Sequence, residues 1–117
     1  MPDYLPRYKP GHTPNIQLAG TVTGGLLLEV AGSNLAQIAA AGSTKVIGVA
    51  SVDGKAGDTI GYHRDGVQRL VAAGVINAGD KVQAAANGQV ATGTTAPIGT
   101  ALQAAAKAGD VIDVAWA

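Results

Sequence analysis

The tripeptide Ala-Gly-Asp occurs three times in this sequence, and its aspartate carboxylates are candidates for a general acid or base. Each copy stands just before a stretch rich in β-branched residues, and the glycine–aspartate pairs are Gly57 and Asp58, Gly79 and Asp80, and Gly109 and Asp110. A shared acid or base role would require all three turns to converge on one substrate. Glycine adopts backbone angles that other residues resist, and Asp can hydrogen-bond the backbone two residues on. We therefore interpret these six residues as structural turns that lead into strands.

The consecutive residues His63, Arg64 and Asp65 are the second place where chemistry is conceivable. Neighbouring residues of a strand point to opposite faces, so His63 and Arg64 cannot converge on one substrate without a bulge. The only other histidine is His12, and the chain has no cysteine, whereas a transition-metal site needs three or four ligands. Calcium-loop spacing and a phosphate-binding glycine loop are also missing from the sequence. The sequence thus predicts a protein that is not an enzyme and has no metal, cofactor or small-molecule substrate.

Charge and hydropathy argue against two further classes of function. Eight Lys and Arg residues balance eight Asp and Glu residues, so the chain lacks the positive field that nucleic-acid binding requires. Its apolar runs are interrupted by Gly, Ser and Thr and are too short to span a membrane. The sequence also lacks a basic segment followed by an apolar one, which is the pattern of a targeting signal. We expect neither a nucleic acid nor a membrane as partner.

The amino-acid composition predicts a small core. The chain of 117 residues contains 23 Ala and 17 Gly, no Phe, and only four aromatic residues. Domains with such thin cores often gain stability by oligomerising, and disulfides are not available here. The composition therefore favours an oligomer.

From residue 20 onwards, short apolar runs alternate with Gly, Asn, Asp and Ser at intervals of about ten residues, which predicts an all-β sandwich or barrel. The predicted strands are residues 21–23, 26–30, 35–38, 46–50, 59–63, 67–72, 81–85, 89–92, 98–102 and 111–116. Asp65-Gly66 and Asn87-Gly88 are typical of tight hairpin turns. Two alanine-rich stretches, residues 35–41 and 102–108, favour helix by propensity but are too short to form one without tertiary support.

The last predicted strand alternates in a way that indicates which face is buried. Ile112, Val114 and Trp116 fall on one face, and Val111, Asp113 and Ala115 on the other. We expect the first three to be core or subunit-contact residues.

Residues 1–19 differ in composition from the domain predicted at residues 20–117. Four of the five prolines stand at positions 2, 6, 10 and 14, which favours an extended, non-helical segment. One interpretation is a disordered tail. The other is an arm that docks on a partner, because Tyr and Arg residues anchor interfaces. The residues that would make such contacts are Tyr4, Leu5, Arg7, Tyr8 and Lys9.

The order of these segments resembles a known family. The Pro-rich start is followed by VIGVA at residues 46–50, GVQRLVAAGVINAGDKVQAAANGQV at 66–90, PIGTAL at 97–102 and the closing AGDVIDVAWA at 108–117. This arrangement resembles the small capsid cement, or head decoration, proteins of tailed bacteriophages, and the resemblance covers nearly the whole chain.

The resemblance implies a β-barrel-like or β-tulip domain without enzymatic activity. It implies a homotrimer on the outer surface of the virion head, made in the host cytoplasm, that bridges capsomers of the major capsid protein through its N-terminal arm. Two alternatives stay open: another virion part, such as a tail-tube or head-completion protein, and a biotinyl or lipoyl carrier domain. The carrier needs a Lys at a tight hairpin tip, where this chain has Asp65-Gly66 and Asn87-Gly88.

Overall fold

The computed structural model describes Arg7 and residues 13–117, and this part of the chain folds into ten β strands. They are β1 (Asn15–Leu18), β2 (Leu27–Gly32), β3 (Leu35–Ile38), β4 (Val46–Ala50), β5 (Thr59–His63), β6 (Val67–Val71), β7 (Lys81–Ala84), β8 (Val90–Thr92), β9 (Pro97–Ala101) and β10 (Val111–Trp116). In this part of the chain the only helical segment is the short 3-10 turn Ala86–Gly88. The all-β class predicted from the sequence is confirmed. None of the described segments forms a helix long and apolar enough to cross a membrane.

The strands form two five-stranded units. Strands β1 to β5, the first unit, close into a barrel in the order β1-β3-β2-β4-β5. Strands β6 to β10, the second unit, form a sheet in the order β6-β10-β9-β7-β8. When β6 to β10 are matched in turn to β1 to β5, neighbouring strands are equivalent in the two units. The second order starts at the strand equivalent to β1 and follows the closed barrel in the opposite direction.

Pairing details support this match. The parallel pair β1·β3, which closes the first barrel, corresponds to a single parallel bridge between Ala72 and Val90 in the second unit. A register shift follows Leu28 in the β2·β4 pair and follows Val82 in the β7·β9 pair. The fold is therefore an internal repeat of one five-stranded barrel, closed in the first unit and almost closed in the second.

The sequence carries a signal of this repeat that the three AGD copies alone do not convey. Residues 46–50, VIGVA, correspond to residues 97–101, PIGTA, and residues 55–60, KAGDTI, correspond to residues 107–112, KAGDVI. In both units the central glycine of the first motif is packed too tightly for a side chain. A Cβ on Gly48 would lie 2.5 Å from the His63 carbonyl oxygen, and a Cβ on Gly99 would overlap the Ala115 carbonyl oxygen.

The alternation of buried and exposed residues along the strands fills the interior of each unit with aliphatic side chains. The interior of the first unit is built on the buried residues Leu18, Val22, Leu28, Ala36, Ala50 and Ile60. A larger cluster occupies the second unit and includes Leu27, Ala39 and Val49 from the first. Because Leu27 and Leu28 point to opposite faces of β2 and both are fully buried, this strand belongs to the barrel interior on one side and to the junction between units on the other.

Several local predictions differ from the structure. Residues 15–18, placed in the arm by the sequence, form β1 inside the first barrel, and Leu18 is buried there. The strand predicted at residues 21–23 is only an isolated bridge from Val22 to Gly54. The hairpin predicted at Asp65-Gly66 is wrong, because β5 pairs with β1 and β4 while β6 pairs with β10. That segment instead links the two units.

The other predicted turn forms a hairpin. Asn87 and Gly88 have positive φ angles of 61° and 72° and connect the paired strands β7 and β8. Both alanine-rich stretches are non-helical, and residues 35–38 form β3.

Candidate functional site

The three AGD copies form the same β turn. Gly57, Gly79 and Gly109 have φ angles of 91°, 91° and 94°, a region that glycine adopts without steric cost. In each turn the Asp carboxylate accepts a hydrogen bond from the backbone N–H three residues earlier, from Lys55 at 3.0 Å, Asn77 at 3.0 Å and Lys107 at 3.2 Å. The sequence analysis expected the Asp to bond the backbone two residues further along the chain. That direction is wrong, because the Asp is the last residue of the turn and its carboxylate bonds back to the N–H of the first residue.

Each turn is also attached to a buried residue of a neighbouring segment by two backbone hydrogen bonds. Leu18 donates to the Asp58 carbonyl at 2.8 Å and accepts from Gly57 at 2.9 Å. Ala101 makes the same two bonds with Asp80 and Gly79, and Ala72 makes them with Asp110 and Gly109.

A fourth turn of this kind, residues 23–26, is joined to Ala50 but carries Leu26 where the others carry Asp. The aspartates therefore sit in turns that attach to different buried residues. Within residues 13–117 and Arg7, no three His, Cys, Asp or Glu residues are grouped closely enough to hold a metal ion.

Glu29 is the one buried charged residue among those that the structure describes, and it holds a loop in place. Its carboxylate accepts hydrogen bonds from the Ala40 N–H at 2.9 Å and from the Gln37 side chain at 2.7 Å. Both bonds lower the pKa of Glu29, and the bond from Ala40 has the larger effect. Burial acts in the opposite direction but is outweighed. The equivalent residue of the second unit is Gln83, whose side-chain oxygen accepts from the N–H groups of Thr95 and Ala96 at 3.2 and 3.3 Å. We call Glu29 and Gln83 latches because each holds, through hydrogen bonds to backbone N–H groups, the loop that follows the third strand of its unit.

Of the residues predicted to contact the capsid, the structure describes Arg7. It lines a surface groove of about 500 Å³ together with residues of β1, the start of β5 and the turn at Asn34. The groove lies beside the start of the parallel β1·β3 pair, where Gln17 is opposite Leu35. Tyr4, Leu5, Tyr8 and Lys9 lie outside the described residues, as does His12.

The segment containing His63, Arg64 and Asp65 does not build a reaction centre. All three residues are exposed and border a small depression of about 130 Å³ that also contacts Thr13 and Pro14. The carbonyl of Asp65 accepts a hydrogen bond from the Gln68 side chain at 2.7 Å. This arrangement positions the link between the units.

The two faces of β10 have opposite character. Ile112 and Val114 are buried in the core of the second unit, and Trp116 is half-buried against it. On the outer face, Val111 is 55% exposed, as is Val67 on the adjacent strand β6. Sequence reasoning placed the buried face correctly on one side of the strand but drew no conclusion from the exposed one.

Comparison with known proteins gives one sequence family and one fold. The family model described as phage cement protein matches residues 9–116. Among the solved structures, the crystal structure of the head fiber gp8.5 N base in bacteriophage phi29 is similar with a TM-score of 0.75 and 18% sequence identity. The alignment covers 91% of this chain and 93% of that one, and at this identity it shows a shared fold. No curated protein matches the sequence.

Proposed function

Because this chain belongs to the phage cement protein family and is a structural protein of the phage head, we propose that it stabilises the head by bridging capsomers of the major capsid protein from the outer surface. The observation that carries the proposal is the family match over residues 9–116, which includes both five-stranded units. The fold shared with a head fiber base is consistent with a role on the head. A bridging protein opposes separation of capsomers by adding contacts across each seam.

The construction of the site fits a binding role better than a catalytic one. The aspartates that recur in the sequence close turns, and Glu29 is held by Ala40 and Gln37. Among the residues that the structure describes, His63 is an exposed histidine that borders a shallow depression. General acid–base catalysis needs such groups to converge on a reacting atom, and these do not.

We assign head binding to the segment before β1. Its predicted contact residues are Tyr4, Leu5, Arg7, Tyr8 and Lys9, since aromatic and Arg side chains contribute most to interfaces. The segment leaves the first barrel beside Pro14, whose carbonyl accepts a hydrogen bond from the Tyr62 N–H at 3.0 Å. A homotrimer with three such segments would multiply weak contacts through effective concentration.

Removal of residues 1–12 tests this assignment. The truncated chain keeps Pro14 and all of β1, so we expect it to melt at the temperature of the full chain but to lose co-sedimentation with heads of its phage. Arg7→Ala should weaken binding, whereas Arg64→Ala, which removes an exposed arginine from the link between units, should not. Full-length protein that neither co-sediments with the heads nor raises their resistance to heat would refute the proposed function. Truncated protein that binds as well as the full chain would refute only the role of the segment.

A further inference from the structure

The outer face of the second unit carries a cluster of apolar side chains on adjacent strands. Val71 of β6 lies opposite Val111 of β10, and Val67 lies opposite Ala115. Leu102, just after β9, extends the cluster, because its N–H donates to the Asp113 carbonyl at 2.9 Å. We call these five residues the β6–β10 face. Val67 and Val111 are 55% exposed and Leu102 is 52% exposed.

The first unit provides an internal control for this face. Its strands β1 and β5 make the equivalent pair, Gln17 opposite Thr59, where the second unit has Val71 opposite Val111. Ser51 donates its N–H to the Gly61 carbonyl at 3.1 Å, as Leu102 does to Asp113. The positions equivalent to Val67 and Ala115 are the polar residues Thr13 and His63. The same barrel thus forms with a polar outer face, so the fold does not require the apolar one.

The charges on this face decide which partner it fits. Arg69 and Asp113 lie opposite each other between the two apolar pairs, with their side-chain atoms 4.0 Å apart and their side chains 82% and 42% exposed. Such an exposed pair contributes little to the stability of one chain. A surface with a cation and an anion side by side within an apolar border is complementary to a copy of itself, because Arg69 of one copy can face Asp113 of another.

We propose that the β6–β10 face is the contact between copies of this chain. The inference rests on the proposed function and goes beyond its homotrimer, because a face that meets its own copy joins copies in pairs about a twofold axis and so connects neighbouring copies on the head. Three strands about 4.8 Å apart and five residues of about 3.4 Å give a face of about 240 Å² per copy, which is about 500 Å² for a pair. Stable interfaces bury at least about 1,200 Å². The contact is therefore weak in dilute solution and strengthens when copies are held side by side on a head.

The test uses the absence of cysteine in the sequence, which makes any introduced thiol unique. Val111→Cys labels the β6–β10 face, and Thr59→Cys labels the exposed equivalent position of the first unit. Both purified full-length variants are treated with a short bismaleimide over a range of protein concentrations. We expect several-fold more covalent dimer from Val111→Cys than from Thr59→Cys.

Charge reversal makes the test specific. Arg69→Asp or Asp113→Arg, each added to Val111→Cys, should reduce crosslinking to the level of Thr59→Cys, and mixing the two should restore it. Equal yields from the two cysteine positions, or yields that ignore both reversals, would overturn the inference. Because this assay uses isolated protein, its failure is distinguishable from failure to bind heads. Val71→Gln and Val111→Thr introduce the equivalent residues of the first unit. If variants with these substitutions self-associate like the wild type but no longer bind heads, the β6–β10 face contacts the capsid protein and not another copy of this chain.

Discussion

Replacement of Glu29 by Gln removes the charge from a latch whose neutral counterpart already exists in the second unit. The Glu29 carboxylate accepts from Ala40 and Gln37 and is only 8% exposed. The loop that follows β3 depends on it, and that loop also contacts the second unit, because the Gly42 N–H donates to the Ala84 carbonyl at 2.9 Å. The variant should therefore loosen the junction between the units.

The expected cost follows from the two hydrogen bonds. Hydrogen bonds to charged groups contribute about 1.5–3 kcal/mol each and neutral ones about 0.5–1.5 kcal/mol. Gln keeps the acceptor for Ala40 and loses the charge, so we expect Glu29→Gln to lower the free energy of unfolding by about 1–3 kcal/mol at pH 7. For a chain of this length that lowers the melting temperature by roughly 4–12 °C.

The pH dependence has a definite sign. The pKa of Glu29 in the folded protein is below its ordinary value of 4.5, since the bonds from Ala40 and Gln37 favour the carboxylate. Its stabilisation is thus complete above pH 4.5 and is lost as the pH falls through the folded pKa. Glu29→Gln binds no proton in either state. The difference in stability between wild type and variant should be largest at pH 7 and shrink on acidification.

Urea denaturation at neutral and acidic pH measures this difference. The matched control is Gln83→Glu at the equivalent position, where Thr95 and Ala96 supply two N–H donors. This variant should gain an acid-sensitive contribution of the same sign. An equal free energy of unfolding for wild type and Glu29→Gln at pH 7, or a gap that does not change with pH, would refute the reasoning.

Two further predictions concern the repeated elements. Gly99→Ala should destabilise by about 1–3 kcal/mol, because a Cβ there overlaps the Ala115 carbonyl, while Gly74→Ala, with open space around it, should change stability by less than about 1 kcal/mol. Thermal melts of the two variants compare them directly, and equal melting temperatures would contradict the packing argument. Asp80→Ala should cost about 1–3 kcal/mol through loss of the bonds from Asn77 and Thr92, and Asp80→Asn should recover part of it; a urea midpoint for the alanine variant equal to that of the wild type would exclude this role.

Most strand positions could be predicted from the sequence because alternation and turn residues are local properties. Nine of the ten predicted strands overlap observed ones, and β3, β4, β5 and β10 have the predicted bounds. The missed strand β1 has only four residues and directly follows Pro14, so the sequence analysis included it in the Pro-rich segment. Asp65-Gly66 has the residues of a hairpin turn, but its flanking strands pair elsewhere. The residue types of a turn indicate that the chain changes direction there, but they do not indicate which strands then pair.

Local sequence patterns were enough to predict the β class, the turns at the three AGD copies, the buried side of β10 and the resemblance to phage cement proteins. The strand pairing was needed to show that one five-stranded unit occurs twice, that Glu29 and Gln83 are equivalent, and that the same outer face is polar in one unit and apolar in the other. These features depend on contacts between residues far apart in the chain, which local patterns do not report. The equivalence of Thr59 and Val111, on which the proposed contact between copies depends, becomes visible only when those pairs are known.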